Sequence, residues 1–237
     1  MIIKKYDDVA TIKNINHLVL DCDDCIALIS PKWFNEIYKN KDHFEKFFDF
    51  SFIENFNLET DFIKVLYRNE FYLNKWLLRD DIDIDNKEFE EITNDMISLY
   101  DTKDFYDDLF KCKIGIAFSN LSMQKFITKV TILTRSTQNN QNSKNRFLYR
   151  NFINSFNKVE IIHIKNEEKK SDIVKDLKNV SIILDDELGN IEDYIKNCNN
   201  LENTEILIPK YGYNIVDDKL LDLSLEKNIN LNYINAF

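Results

Sequence analysis

Three glycines and two prolines are all that the 237-residue chain contains. With so few breakers, hydrophobic periodicity rather than turn residues has to place the element boundaries. The scarcity also excludes collagen-like structure, and 44% hydrophobic against 30% charged residues excludes wholesale disorder. No apolar run reaches the roughly 18 residues of a membrane span, and the opening MIIKKYDDVATIKN turns polar too soon for a signal peptide. Basic residues are in deficit: 31 Lys and Arg face 41 Asp and Glu, a net charge of −10. Such a surface matches extended nucleic acid poorly, although one local basic pocket is compatible with it. The four cysteines, Cys22, Cys25, Cys112 and Cys198, lack the spacing of a disulfide framework, and no second pair completes a zinc site with Cys22 and Cys25. Free buried thiols in a reducing compartment, and a cytoplasmic location, are the expectation. His17, His43 and His163 show no metal-ligand spacing and read as structural or exposed.

What is present fits one main core with an inserted subdomain. The run HLVL, residues 17–20, reads as a buried strand that delivers Asp21 at its carboxyl end. Ser30–Pro31 reads as an N-cap and first-turn proline of a helix with Trp33, Phe34, Ile37 and Tyr38 on its apolar face. Further strands are expected at 130–133, 159–164, 181–186 and 205–209, with helices near 116–127, 147–156, 172–178 and 190–197. The polar stretch TQNNQNSKNR, residues 137–146, reads as a mobile loop. Alternating strands and helices predict an α/β three-layer sandwich with a mainly parallel, Rossmann-like sheet.

Residues 31–110 differ in character. They hold 20 acidic and 10 basic side chains, which is the whole net charge, and 19 of the 31 aromatic residues. We assign them to a mainly helical subdomain inserted after the first strand, with residues 1–30 and 111–237 as a discontinuous core. The aromatic residues form the subdomain's own core or a ligand wall. The C-terminal YGYNIVDDKLLDLSLEKNINLNYINAF is expected to cover the sheet edge or an oligomer surface.

Three strand ends present polar groups: Asp21, Cys22, Asp23 and Asp24; Thr134, Arg135 and Ser136; Asp185, Asp186 and Glu187. Ligands of parallel α/β sheets meet the carboxyl ends of strands. Carboxylates converging there repel one another unless protons or a cation intervene, and hard oxygen ligands suit Mg2+. Lys170 stands at a helix start before the strand that carries Asp185, where its ammonium can neutralise a transferring phosphoryl group. Each of these residues also has a plain structural reading as a turn, a cap, a strand-end hydroxyl or a solvated lysine. Arg135 reads as a phosphate ligand or a salt-bridge partner.

The motifs together resemble the haloacid dehalogenase-like superfamily, particularly its small nucleotidase-like phosphatases. HLVLDCDDCIA is similar to the first motif, VTILTRS to the second, Lys170 in EEKKSDIVKDL to the lysine motif, and SIILDDELGNIEDY to the terminal acidic motif. The resemblance covers approximately residues 17–30 and 113–209, and the intervening block sits where the family places a first-position cap. It implies Asp21 as a nucleophile forming an aspartyl-phosphate and Asp23 as general acid and base, its carbonyl touching Mg2+. It further implies Thr134 as the phosphate-orienting hydroxyl and Lys170 as the residue holding Asp21 and phosphate together. Asp185 would bind Mg2+ with Asp186 as its partner, and Lys169 replaces Lys170 if the helix starts one residue earlier. Two positions depart from the pattern: Asp24 stands where glycine is frequent, and Cys25 where Thr or Val is. The expected activity is therefore Mg2+-dependent hydrolysis of a small phosphorylated substrate, such as a nucleotide. The alternatives are a phosphotransferase, and a non-catalytic interaction protein that binds a protein partner or a second copy.

Overall fold

The computed structural model describes residues 3–4, 15–82, 85–109, 112–165 and 167–235. Most of the polar N-terminal stretch, residues 83–84 of the acidic connector and the expected junction at 110–111 lie outside the described residues.

Among the described residues, seven strands form one sheet: β1 (Ile3–Lys4), β2 (His17–Leu20), β3 (Lys129–Arg135), β4 (Val159–Ile164), β5 (Val180–Leu184), β6 (Glu205–Pro209) and β7 (Asn230–Ile234). Every pairing is parallel, in the order β1-β7-β6-β5-β2-β3-β4. Parallel strands need crossovers that cover both sheet faces, which is why the central strands are apolar on both sides. Leu18, Leu20, Ile132, Ile182 and Leu184 enter one buried cluster, and Val19, Leu133, Ile183, Ile206 and Ile208 enter the other. This is the period-two alternation of a strand. From β2 the chain order runs outward in both directions, so β2 and β5 flank the topological switch point.

The segment after β2 contains α1 (Ile29–Lys39), α2 (Lys41–Phe44), α3 (Leu58–Leu66), α4 (Leu73–Leu77) and α5 (Asn86–Tyr100). Phe34, Ile37, Phe44, Phe48, Val65, Leu77, Ile92 and Met96 form a core of their own. Within it Phe34 meets Phe56 edge-on at 4.8 Å. Each such buried side chain contributes about 1.5–3 kcal/mol, and Trp33, Tyr38, Phe47, Phe50, Phe56, Trp76 and Phe89 pack partly buried against the same core. Asp85 accepts from the N–H groups of Lys87 and Glu88 at 2.9 and 2.8 Å and caps α5.

The remaining helices, α6 (Lys113–Ser122), α7 (Gln141–Asn151), α8 (Lys170–Val174), α9 (Leu188–Asn197) and α10 (Asp218–Glu226), connect the later strands. A Cβ at position 115 would lie 2.5 Å from the Ile26 carbonyl oxygen, so only glycine lets α6 pack on the loop after β2. Among the described residues, no helix is long and apolar enough to cross a membrane.

Three local expectations change. Ser30 does not cap α1, which begins at Ile29; instead the Asp24 carboxylate accepts from Ser30 N–H at 3.0 Å and from its hydroxyl. The stretch 137–146 is not simply a loop: α7 begins at Gln141 and buries Ser143, Lys144, Phe147, Leu148 and Asn151 at helical spacing. The C-terminal segment contains a helix and a sheet strand, α10 and β7, and β7 pairs with both β6 and β1. Its NLNYI pattern hides the strand because Asn230 and Asn232 interrupt the apolar run, and only Leu231 and Ile234 are buried.

Candidate active site

The site forms where β2, β3 and β5 end. Leu20 lies level with Leu184 on one side and Ile132 on the other. The chain beyond Leu20 therefore emerges between the other two polar strand ends. Asp21 N–H donates to Leu184 O at 2.8 Å, which holds it in line with the strand. The loop then folds back tightly, with Ile26 and Ala27 N–H both on Cys22 O at 2.8 and 2.9 Å. Asp24 takes a left-handed conformation, φ 51°, which aspartate tolerates better than most residues but glycine adopts freely.

Asp21, Lys170 and Asp185 form one buried chain of charges. Lys170 Nζ lies 2.9 Å from Asp21 Oδ2 and 2.8 Å from Asp185 Oδ2. Burial pulls its ammonium toward neutrality, but Asp185 and Asp21 outweigh that and raise its pKa overall. Lys169, the alternative, is exposed and pairs with Asp193 at 2.9 Å. Asp185 is fully engaged: Oδ2 also accepts from Tyr194 OH at 2.9 Å, while Oδ1 accepts from Glu187 N–H and Asn190 Nδ2, both at 3.1 Å. Desolvation raises the Asp21 pKa to about 7; Lys170 opposes the shift, and Asp185 and Asp23 add to it.

Asp23 is held from the other side. Lys144 Nζ pairs with its Oδ2 at 2.8 Å, and the hydroxyls of Tyr106 and Tyr100 donate at 2.8 and 3.2 Å. Lys144 has a fully buried side chain, reaches Thr134 Oγ1 at 3.2 Å, and sits 4.8 Å from the Tyr106 ring. Sequence reasoning missed Lys144, Tyr100 and Tyr106. The spacing of Ser143, Lys144, Phe147, Leu148 and Asn151 was the available signal for Lys144. Thr134 lies within β3, fully buried, and its hydroxyl faces Lys144. The lining of the neighbouring cleft at this strand end comes from Arg135, Ser136 and Thr137. Arg135 makes the salt bridge weighed for it, to Glu187 at 3.2 Å.

Among the described residues, Asp186 has no ammonium partner of its own. Its Oδ2 accepts from Tyr213 OH at 2.8 Å and its Oδ1 from the Cys25 thiol at 3.7 Å. Burial, then the charges of Asp21, Asp24 and Asp185, push its pKa far above the carboxylate range. Ligand atoms of Asp21, Cys25 and Asp186 lie within 4.8 Å of one another. Two buried hard carboxylates side by side, Asp21 paired with Lys170 and Asp186 held by a phenol and a thiol, fit a divalent cation such as Mg2+. The Cys25 thiol fits less well, because burial raises its pKa and keeps it protonated. Asp24 contributes no donor here; its carboxylate is turned to Ser30.

The histidines take no part in these ion pairs, although His163 backs Ser136 of the cleft lining. His17 bonds Lys178 O and Thr131 Oγ1, His43 pairs with Asp95 on the surface, and His163 bonds Ser136 and Asn145.

A cleft of about 690 Å³ opens over Asp21, Asp23, Lys170 and Asp186. Its far wall belongs to the inserted segment and includes Trp33, Tyr72, Met96, Ile97 and Tyr100, with Asn74 and Thr93 among them. A larger groove of about 1010 Å³, lined by residues of the insertion such as Asp42, Glu45 and Arg79, contains none of the site residues.

No protein-family model matches the chain. No curated protein matches it either. Among solved structures, it resembles a haloacid dehalogenase-like family hydrolase from Streptococcus pneumoniae. That likeness has a TM-score of 0.53 at 12% identity and covers 94% of this chain and 95% of the other. A provisionally assigned β-phosphoglucomutase from Bacteroides vulgatus aligns with a TM-score of 0.48 at 12% identity, covering 96% and 88%. A parallel sheet with a helical segment inserted after the strand that carries Asp21, and a likeness spanning nearly the whole of both chains, give this protein the haloacid dehalogenase-like fold.

Proposed function

We propose that the protein is a Mg2+-dependent phosphomonoester hydrolase that works through an aspartyl-phosphate on Asp21. The observation that carries the reading is the arrangement of Asp21: joined to Lys170 on one side, near Asp186 on the other, and open to the cleft. A carboxylate oxygen of Asp21 attacks phosphorus, and the bond from phosphorus to the leaving oxygen breaks. Asp23 gives that oxygen its proton, then takes one from the water that attacks the phosphoenzyme, so phosphate leaves and Asp21 is restored. Lys144, Tyr100 and Tyr106 hold the Asp23 carboxylate in place for both transfers. Lys170 offsets charge on the phosphoryl oxygens and on Asp21. Mg2+, held by Asp21 and Asp186, with the Asp23 carbonyl as the family resemblance implies, would neutralise phosphate charge.

The substrate we assign is a small phosphorylated molecule, with a nucleoside monophosphate as the preferred case. Trp33 and Tyr72 offer flat apolar surface for a base, and Asn74 and Thr93 offer polar groups for its edge. The conformation of Asp24 favours this hydrolase reading over a non-catalytic one, because its carboxylate is spent on Ser30 rather than aimed at Asp21.

The test is phosphate release from nucleoside monophosphates and small phosphomonoesters, with and without Mg2+, for wild type and Asp21→Asn. Turnover that needs Mg2+ and disappears in the variant supports the reading. Folded wild-type protein that neither turns over any substrate nor binds Mg2+ defeats it in favour of an interaction protein. Phosphate appearing on an added alcohol instead of in solution identifies a phosphotransferase.

A further inference from the structure

The loop after β6, residues 210–214, touches both the acidic site and the inserted segment. Tyr213 donates its hydroxyl to Asp186 Oδ2 at 2.8 Å. Its ring lies 4.3 Å from the Arg68 guanidinium and meets Phe71 edge-on at 5.3 Å. Arg68 is buried and fixed in turn, with Nη1 on Val65 O at 2.8 Å and Nη2 on Phe71 O at 2.7 Å. Gly212 N–H donates to Leu66 O at 3.1 Å. A Cβ on Gly212 would stand 2.3 Å from Tyr67 O and 2.5 Å from Arg68 O, so the loop backbone rests directly on the backbone of the insertion. Asn214 Nδ2 donates to Pro209 O at 2.6 Å and to the Asp186 carbonyl at 3.4 Å. One short loop thus holds the side chain and the backbone of Asp186 while it seats residues 66–71.

We propose that Tyr213 is a positioning residue that fixes the Asp186 carboxylate for cation binding and couples it to the seating of residues 66–71. The inference rests on the cation-dependent reading above. By occupying Oδ2, the phenol leaves Oδ1 turned toward Cys25, the third member of the cluster with Asp21. A carboxylate so oriented loses little rotational freedom when a cation binds, and hydrogen-bond partners that orient metal ligands typically contribute about 10–100-fold in affinity. Because the same ring is clasped by Arg68 and Phe71, a cation bound to Asp186 is coupled through Tyr213 to that part of the insertion. The coupling is reciprocal by thermodynamic necessity.

Mg2+ is titrated calorimetrically into full-length wild type and Tyr213→Phe, which keeps the ring and its Arg68 and Phe71 contacts. Amide exchange at residues 66–71 is followed in both, with and without Mg2+, and thermal unfolding in metal-free buffer monitors the fold. The expected result is a Mg2+ dissociation constant raised about tenfold or more in the variant. Mg2+ should slow exchange at 66–71 in wild type and much less in the variant, while both unfold at similar temperatures without metal. A variant that binds Mg2+ as tightly as wild type, or a wild type whose exchange at 66–71 ignores bound Mg2+, overturns this proposal and leaves the hydrolase reading intact. Wild type that binds no Mg2+ overturns the cation reading and this proposal with it.

Discussion

Two carboxylates flank Asp21, and they are treated in opposite ways. Asp23 receives a buried ammonium and two phenols, each delivered by a different element: Lys144 from α7, Tyr100 from the end of α5, and Tyr106 from the turn beyond it. Among the described residues Asp186 receives only a phenol and a thiol, although it is the more deeply buried of the two. The protein completes the electrostatics of one side by itself. On the other it keeps a carboxylate whose charge burial and its acidic neighbours oppose. A carboxylate held by an ammonium and two phenols is fixed in place, and an under-neutralised side suits a cation.

The largest effect that can break this contrast is at the lysine between the sides. Lys170→Met leaves Asp21 and Asp185 without their shared cation in a buried setting, and breaking such a pair costs about 3–5 kcal/mol. We expect a loss of conformational stability of that order by denaturant unfolding, together with loss of phosphate release. A variant that is as stable as wild type would show that the two carboxylates do not depend on Lys170. Next comes Lys144→Met. Asp23 keeps both phenols and retains some solvent contact, so the cost should fall nearer 1–3 kcal/mol. Turnover should fall more than substrate affinity, because the residue acts on Asp23 and not on binding; a change in KM alone would contradict its place in the Asp23 network.

Asp186→Asn should act in the opposite direction. It removes a group whose ionisation the fold opposes, so metal-free protein near neutral pH should gain on the order of 1 kcal/mol, or roughly 2–4 °C in Tm, while the stabilisation by Mg2+ disappears. The pH dependence gives the same contrast. Asp21 has its pKa raised from 3.8 to about 7 in the folded state. Between those values the folded protein binds more protons than the unfolded chain at this site, so its contribution to stability is full below about 4 and is lost as pH rises to about 7. Asp186 shifts the same way. Metal-free wild type should therefore lose stability over that range, and Asp186→Asn should lose less. Equal slopes in unfolding experiments from pH 4 to 8 would remove Asp186 from the account.

How much of this was legible in the sequence follows from the same physics. The sheet strands that carry the site announce themselves as apolar runs because parallel strands are covered on both faces, and each run ends at the polar residues that form the site. Lys170 was legible from its place before the strand that ends at Asp185. Lys144 was not: its surroundings, NNQNSKNR, are polar because several of those side chains bury against other polar groups, and burial of that kind mimics a loop. Tyr100, Tyr106 and Tyr213 were hidden for a different reason. In a chain with 11 tyrosines, composition cannot separate the phenol that fills a core from the one that orients a carboxylate. The weak pattern of β7 reflects a strand with polar residues at alternating positions.

The smallest expected effect concerns Asp24, the position where the sequence departs from the family pattern most visibly. Its carboxylate lies beside Arg68 and accepts from Ser30, and its carbonyl accepts from Tyr211 OH at 2.6 Å. Asp24→Asn preserves a side-chain oxygen for Ser30 and a residue type that tolerates φ 51°. It removes only a charge that desolvation already opposes and Arg68 partly offsets. Stability should change by less than about 1 kcal/mol, and phosphate release should stay within a few-fold of wild type. If Asp24→Asn instead raised turnover by about tenfold or more, the acid would be repelling phosphate at the mouth of the site. The departure from glycine would then be a brake on catalysis, not a helix anchor.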